Sequence, residues 1–201
     1  MKKLLLIMTL LLSAATQAAD SFLPMSFEAQ FTQTYVSAKS GSEKKSTGTL
    51  QYKYPGRIYF EVKEPDQVLF ISNLERSWYY TPPPIPGESG EVTISKSTDN
   101  PLLKFLDSLK SGLKNGKLYN VVEEKNKVQL TFHEQSRKDI GINQAQMFFG
   151  KTVSFQDLKE LLLVYPTGKR VSFTLTKINT KPAFKDESFV FKIPENTRIS
   201  R

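Results

Sequence analysis

The side chains able to do acid–base, nucleophilic or metal chemistry are few in this chain, and their spacing suits none of it. Its one histidine, His133, falls on a stretch reading Leu-Thr-Phe-His-Glu over 130–134 that is expected to be a strand. No serine stands in a Gly-x-Ser-x-Gly elbow to pair with it. Two acidic doublets, Glu123 with Glu124 and Asp186 with Glu187, lie near turns. Successive strand residues point to opposite faces, whereas hydrolytic carboxylates must flank one bond. The chain has no cysteine, which removes thiolate zinc sites, thiol nucleophiles and disulfides together. No catalytic residue, cofactor or metal is expected, and the chain reads as a binding protein rather than an enzyme.

The chemistry the sequence does supply is apolar. Between 48 and 82 large aliphatic and aromatic groups recur at strand spacing, punctuated by Pro and Gly. Leu50, Tyr52 and Tyr54 share one face of a strand. Pro55-Gly56 turns the chain, and Ile58, Phe60 and Val62 share one face of the next strand. Pro65 closes it. The run 68–71 is apolar throughout, as in a strand covered on both faces. Trp78 opens a fifth strand, and 92–94 is expected to be a sixth. Such a sheet needs apolar cover on its inner face, either a core or a ligand.

The elements around it follow the same pattern. Phe27, Ala29, Phe31 and Gln33 alternate with polar neighbours and predict a first strand. Residues 82–87 carry four prolines and predict a stiff loop. One helix is expected from Asn100, an N-cap with Pro101 at the first helical position. Leu102, Phe105, Leu106, Leu109 and Leu113 form its apolar stripe, which packs either as ordinary core or as a lid against a ligand. A hairpin over Lys125 and Asn126, a polar loop over 136–143, strands over 147–149, 158–165 and 171–175, and a last strand carrying Phe189, Phe191 and Ile193 complete the expectation. Strands joined by short turns imply a largely antiparallel meander.

Lys2 and Lys3 followed by the apolar run 4–12 and small residues over 13–19 read as a cleaved signal peptide over 1–19, too short to span a bilayer. A single domain over 20–201 remains. Removing Lys2 and Lys3 lowers the formal charge from +8 to +6. The remaining cations are scattered, as on a solvated surface or one weakly drawn to anionic headgroups or an acidic partner. No nucleic-acid motif is present. A twisted sheet of about ten strands curls on itself, and one helix cannot fill a barrel that large, so either a cavity for an apolar guest or a self-filled core results.

Several residues together carry a family likeness. The run Gly48-x-Leu50-x-Tyr52-Lys53-Tyr54-Pro55-Gly56-Arg57, then Phe60, Pro65, Ile71-Ser72 and Trp78-x-Tyr80-x-Pro82, resembles the LolA family of periplasmic lipoprotein carriers. Phe27-x-x-x-Phe31-x-Gln33 resembles its first strand, Asn100-Pro101-Leu102-Leu103 its helix, and 165–173 with 189–194 its C-terminal strands. The resemblance implies a mainly β (α+β) fold: an incomplete antiparallel barrel of about ten or eleven strands with a helical lid over a hydrophobic cavity. It implies lipid-binding residues Leu50, Tyr52, Tyr54, Ile58, Phe60, Val62, Trp78, Leu102, Phe105, Leu106 and Leu109, with Arg57 as a polar candidate at the lid.

It also implies a function. A monomeric carrier would take acylated lipoproteins from an inner-membrane ABC exporter, touch membranes transiently, and pass its cargo to an outer-membrane receptor. Some forty acyl methylenes left in water would cost on the order of 30 kcal/mol at about 0.8 kcal/mol each, so a carrier must shield them. The chain departs from the family pattern in three places. Residues 20–26 are too short for the family's first helix, Tyr54 stands where a lid-closing Arg precedes the Pro, and 73–76 replace an Asp-Gly turn. Two alternatives remain open: a carrier of another lipid or glycolipid, and a non-enzymatic periplasmic interaction or sensor protein on the same fold. A core with no cavity larger than a few waters between helix and sheet would point to the last.

Overall fold

The computed structural model describes residues 21–37, 40–96 and 100–200. The signal peptide expected over 1–19 lies outside them. Twelve strands form one sheet: β1 (Ser26–Val36), β2 (Glu43–Lys53), β3 (Arg57–Glu64), β4 (Val68–Ser72), β5 (Arg76–Thr81), β6 (Gly90–Lys96), β7 (Tyr119–Glu124), β8 (Lys127–Phe132), β9 (Gln144–Phe149), β10 (Leu158–Val164), β11 (Arg170–Asn179) and β12 (Thr197–Ser200). Their spatial order is β12-β6-β5-β4-β3-β2-β1-β11-β10-β9-β8-β7. The long strand β1 sits at the centre, paired with β2 on one side and β11 on the other. Two antiparallel meanders spread from it, and only β12 pairs in parallel, with β6.

The sheet curls, as one helix shows. Six strand steps separate β2 from β7, and at about 4.8 Å per step a flat sheet would hold them roughly 29 Å apart. Yet Tyr52 of β2 bonds Asp107 and Tyr119 of β7 bonds the carbonyl of Ser108. These are adjacent residues at the end of helix α1 (Pro101–Ser108). The strands therefore wrap around α1 as an incomplete barrel whose two edges, β7 and β12, do not meet.

Glycine makes the tightest part of this curve. Gly48 on β2 faces Phe31 on β1, and a Cβ there would lie 1.8 Å from the Glu61 carbonyl oxygen and 2.6 Å from the Phe31 ring. Its absence lets Phe31 stack on Phe60 with centroids 4.6 Å apart and planes 9° from parallel. Phe173 of β11 meets both rings edge-on.

Inner-face residues of the barrel and the apolar stripe of α1 form the main core. A second, smaller cluster lies on the outer face of β3–β6, where Ile71, Trp78 and Val92 pack with Phe189. The C-terminal segment supplies that cover. It is not the strand expected around Phe189, Phe191 and Ile193. Residues Asp186–Phe189 make a 3-10 turn that drives Phe189 into full burial, and pairing begins only at Thr197.

Two further expectations are corrected. The polar stretch over 136–143 overlaps α2 (Glu134–Ile140), an amphipathic turn pair burying only Ser136 and Ile140. Gly141 closes it in the left-handed region at φ 79°. His133 is the N-terminal flank of that helix, not a strand residue, and its Nε2 lies 3.0 Å from the Gly116 carbonyl oxygen.

Candidate functional site

Helix α1 is short, and eight residues are too few to hold a helix in water. Its ends are pinned instead. Asn100 accepts a hydrogen bond from the Leu103 amide at 3.0 Å, and Pro101 packs against Gly141. Beyond Ser108 a 3-10 turn runs Leu109–Ser111, and Gly112 ends it at φ 77°.

Between this helix and the sheet lies a seam lined by eleven residues, all apolar: Leu102, Phe105, Leu106 and Leu109 from the helix side, Leu50 and Phe27 from β2 and β1, Phe173 and Leu175 from β11, Leu158 and Leu161 from β10, and Phe155. The enclosed cavity is about 20 Å³. That is room for roughly one water, whereas about 150 Å³ admits benzene. In this state the helix side chains themselves fill the place expected for a ligand. An empty apolar void large enough for a ligand would be unfavourable, and the helix side chains leave none.

From Leu50 in the seam, one row of the sheet leads outward with rising exposure. Leu50, Phe60, Phe70 and Tyr79 are cross-strand partners on β2, β3, β4 and β5. Leu50 is 4% exposed and Tyr79 50%, with Phe60 and Phe70 between them. An apolar row thus runs from half-exposed Tyr79 on β5 to Leu50 at the cavity.

One polar latch crosses the seam. The Tyr52 phenol, fully buried, donates to Asp107 Oδ1 at 2.6 Å. The Gly56 amide, in the β2–β3 turn, donates to the same oxygen at 3.3 Å. Burial, reinforced by the bond to Asp107, pushes the Tyr52 phenol far above the ordinary tyrosine range, so it stays a donor. Two further ties hold the end of the lid. The Tyr119 phenol donates to the Gly112 carbonyl at 2.7 Å, and burial pushes its pKa up to about 12. Lys110 donates to the Leu23 carbonyl at 2.9 Å with its Nζ 5.4 Å from the Tyr54 ring centroid, and desolvation lowers its pKa. An aromatic stands on the strand and the cation comes from the lid side.

Of the expected site residues, Leu50, Leu102, Phe105, Leu106 and Leu109 line the cavity. Tyr52 and Ile58 are fully buried in the core around it, and Tyr54, Phe60 and Val62 lie half-buried at its margin. Two residues are elsewhere. Trp78 faces Ile71 and Ile94 on the outer side of the sheet, within the second cluster. Arg57 also points outward: it donates to the Pro55 carbonyl and lies 3.7 Å from Asp186. With Lys53, which is 2.7 Å from the same carboxylate, it clamps the C-terminal segment and not the lid. Phe27, Phe155, Leu158, Leu161, Phe173 and Leu175 also line the cavity, beyond the site residues expected from sequence. Phe27, Phe173 and Leu175 were visible as alternating strand faces. Leu158 and Leu161 were hidden by the register shift between Leu158 and Glu160, which spaces two inward leucines by three.

Ahead of β1, Phe22 and Leu23 insert into the core. Leu23 is fully buried, and Phe22 meets Phe149 and Phe155 edge-on.

The chain is similar to known proteins. Residues 25–192 match the family described as "Outer membrane lipoprotein carrier protein LolA". An outer-membrane lipoprotein carrier protein of Aeromonas salmonicida is 30% identical over 211 residues, covering 99% of this chain and 98% of its own. One from Idiomarina loihiensis is 27% identical, covering 91% and 86%. The crystal structure of a LolA superfamily protein from Nitrosomonas europaea aligns with 87% of this chain and 94% of its own at 10% identity, with a TM-score of 0.47.

Proposed function

The chain belongs to the LolA family of outer-membrane lipoprotein carriers, and from that premise we propose that it takes the acyl chains of lipoproteins between α1 and the inner face of the sheet. The observation that carries this reading is the continuous apolar track from Tyr79 through Phe70 and Phe60 to a seam with no polar lining. Acyl chains have no group that needs a hydrogen bond, so a wholly apolar lining suits them and disfavours polar guests.

Loading is an exchange. The helix withdraws its apolar stripe, acyl methylenes take the vacated contacts, and the apolar area left in water changes little. The barrier then falls mainly on the Tyr52–Asp107–Gly56 latch and on the strain of moving α1. This keeps uptake and release near balance, which a carrier between two membranes requires. A cavity of about one water is what an interaction or sensor protein on this fold would show, and the family membership outweighs it in favour of the carrier.

Around this site the remaining pieces fit one route. Residues 1–19 are removed on export, a single domain over 20–201 acts in the periplasm as a monomer, an ATP-driven inner-membrane exporter loads it, and an outer-membrane receptor unloads it. Native mass spectrometry of the chain recovered from periplasm tests the cargo. A mass increment matching acylated lipoprotein is expected. A free phospholipid or glycolipid in its place would reassign the cargo, and the absence of any acylated species would overturn the reading.

A further inference from the structure

We propose that the β4–β5 turn presenting Leu74, with Met25 and Pro55 beside it, is a contact tip for an anionic lipid bilayer. The turn is built rather than loose. Asn73 Oδ1 accepts from the amides of Glu75 and Arg76 at 2.9 and 3.1 Å, and the Asn73 amide donates to the Arg76 carbonyl at 3.0 Å. Leu74 is thereby held outward, 55% exposed, and Met25 is 60% exposed. The segments are contiguous. The Tyr54 amide donates to the Met25 carbonyl at 2.8 Å, and Leu74 Cδ2 lies 2.9 Å from where a Cβ on Gly56 would stand.

Cations flank this small apolar tip, and the exposed Glu75 is the acid within the turn. Arg76 and Lys96 are direct cross-strand partners, both exposed, on β5 and β6. Like charges so placed repel, and among the described residues neither has an ion pair. Lys110 Nζ lies 3.4 Å from Met25 Sδ. Exposed aliphatic side chains flanked by an excess of cations over acids are the chemistry of an interfacial anchor on anionic lipid. The tip's exposed apolar side chains are Leu74, Met25 and Pro55, whereas a stable protein interface takes about 20–30 residues a side, so a bilayer fits it better than a protein does.

The tip also touches the lid. Gly56, against which Leu74 packs, donates to Asp107 of α1. Displacing the turn on contact with lipid pulls on the latch, so membrane contact and cargo exchange become coupled. That coupling rests on the carrier reading, and the contact itself does not.

Flotation of cargo-free mature protein with vesicles tests the contact. Binding to phosphatidylethanolamine–phosphatidylglycerol vesicles is expected, weakening as salt rises, with little binding to phosphatidylcholine alone. The pair Leu74→Asp and Met25→Ser should weaken binding about tenfold or more, and the pair Arg76→Glu and Lys96→Glu by a similar factor. Uptake of a fluorescent fatty acid in solution should be unchanged in both. Wild-type protein that ignores anionic vesicles, or variants that bind like wild type, would overturn the proposal. Loss of fatty-acid uptake with vesicle binding intact would count against the carrier reading and not against the tip.

Discussion

Tyr52, on the inner face of β2, donates its phenol to Asp107 at the end of α1 across 2.6 Å, in a core where the Tyr52 side chain sees no solvent. It is the bond that ties the lid to the sheet at the cavity, and its partner oxygen also receives the Gly56 amide.

Removing that donor should loosen the lid without unfolding the barrel. Tyr52→Phe is expected to cost about 1.5–3 kcal/mol, the range for hydrogen bonds to charged groups. Faster hydrogen exchange over 101–109 and a higher on-rate for a fluorescent fatty acid should accompany it. A double-mutant cycle with Asp107→Asn measures the coupling directly. Full additivity would show that the bond does not hold the lid.

Stability should fall as pH rises from about 10 to about 12. Tyr119 in the folded chain titrates near 12 against an ordinary 10, because of burial, and Tyr52 is raised further in the same direction. The unfolded chain loses its protons first, so the folded state holds more protons across that window, and stability declines with pH. Chemical denaturation at stepped pH checks this. Tyr119→Phe should flatten part of the decline, even though its own stability at neutral pH is lower.

Gly48→Ala should be strongly destabilising for its size. The new methyl would sit 1.8 Å from the Glu61 carbonyl oxygen, so β2 and β3 must part or the Phe31–Phe60 stack must break. A loss of at least about 1–3 kcal/mol is expected, read as a lower urea midpoint. A neutral substitution would mean that the curvature of the barrel there is not set by this contact.

The two faces of the sheet should separate in function. Phe189→Ala removes a fully buried ring from the outer cluster and should cost about 3–5 kcal/mol, with a red shift from Trp78, the only tryptophan. Acyl uptake by the folded fraction should be unaffected. Phe70→Ser, on the inner track, should do the opposite, slowing uptake with a smaller loss of stability.

Much of this architecture is legible in the sequence because strand alternation and the family motifs report the same face. Phe27, Leu50, Ile58 and Phe173 alternate cleanly and are buried. Trp78 faces outward and not into the cavity with Leu50, because periodicity gives a face for each strand but not the phase between strands. The turn over 73–75 sets that phase, pairing Trp78 with Ile71 and not with Phe70. Helix α2 was unreadable because only Ser136 and Ile140 are buried, and nearly all its stability comes from context. The C-terminal aromatics alternate like a strand but serve as plugs, a distinction that depends on a distant surface. Asp107 could not be identified at all, since the bond that gives it meaning spans 55 residues.

Transfer of an acylated lipoprotein from inner-membrane vesicles into solution by the purified chain is the most direct measurement. Wild-type protein should bring the lipoprotein into the soluble fraction as a one-to-one complex. Leu106→Asp, which puts a charge into the seam between α1 and Leu50, should abolish transfer, while the Trp78→Phe protein, altered on the other face, should transfer normally. A folded Leu106→Asp protein that still solubilised the lipoprotein would contradict the assignment of the seam as the acyl site.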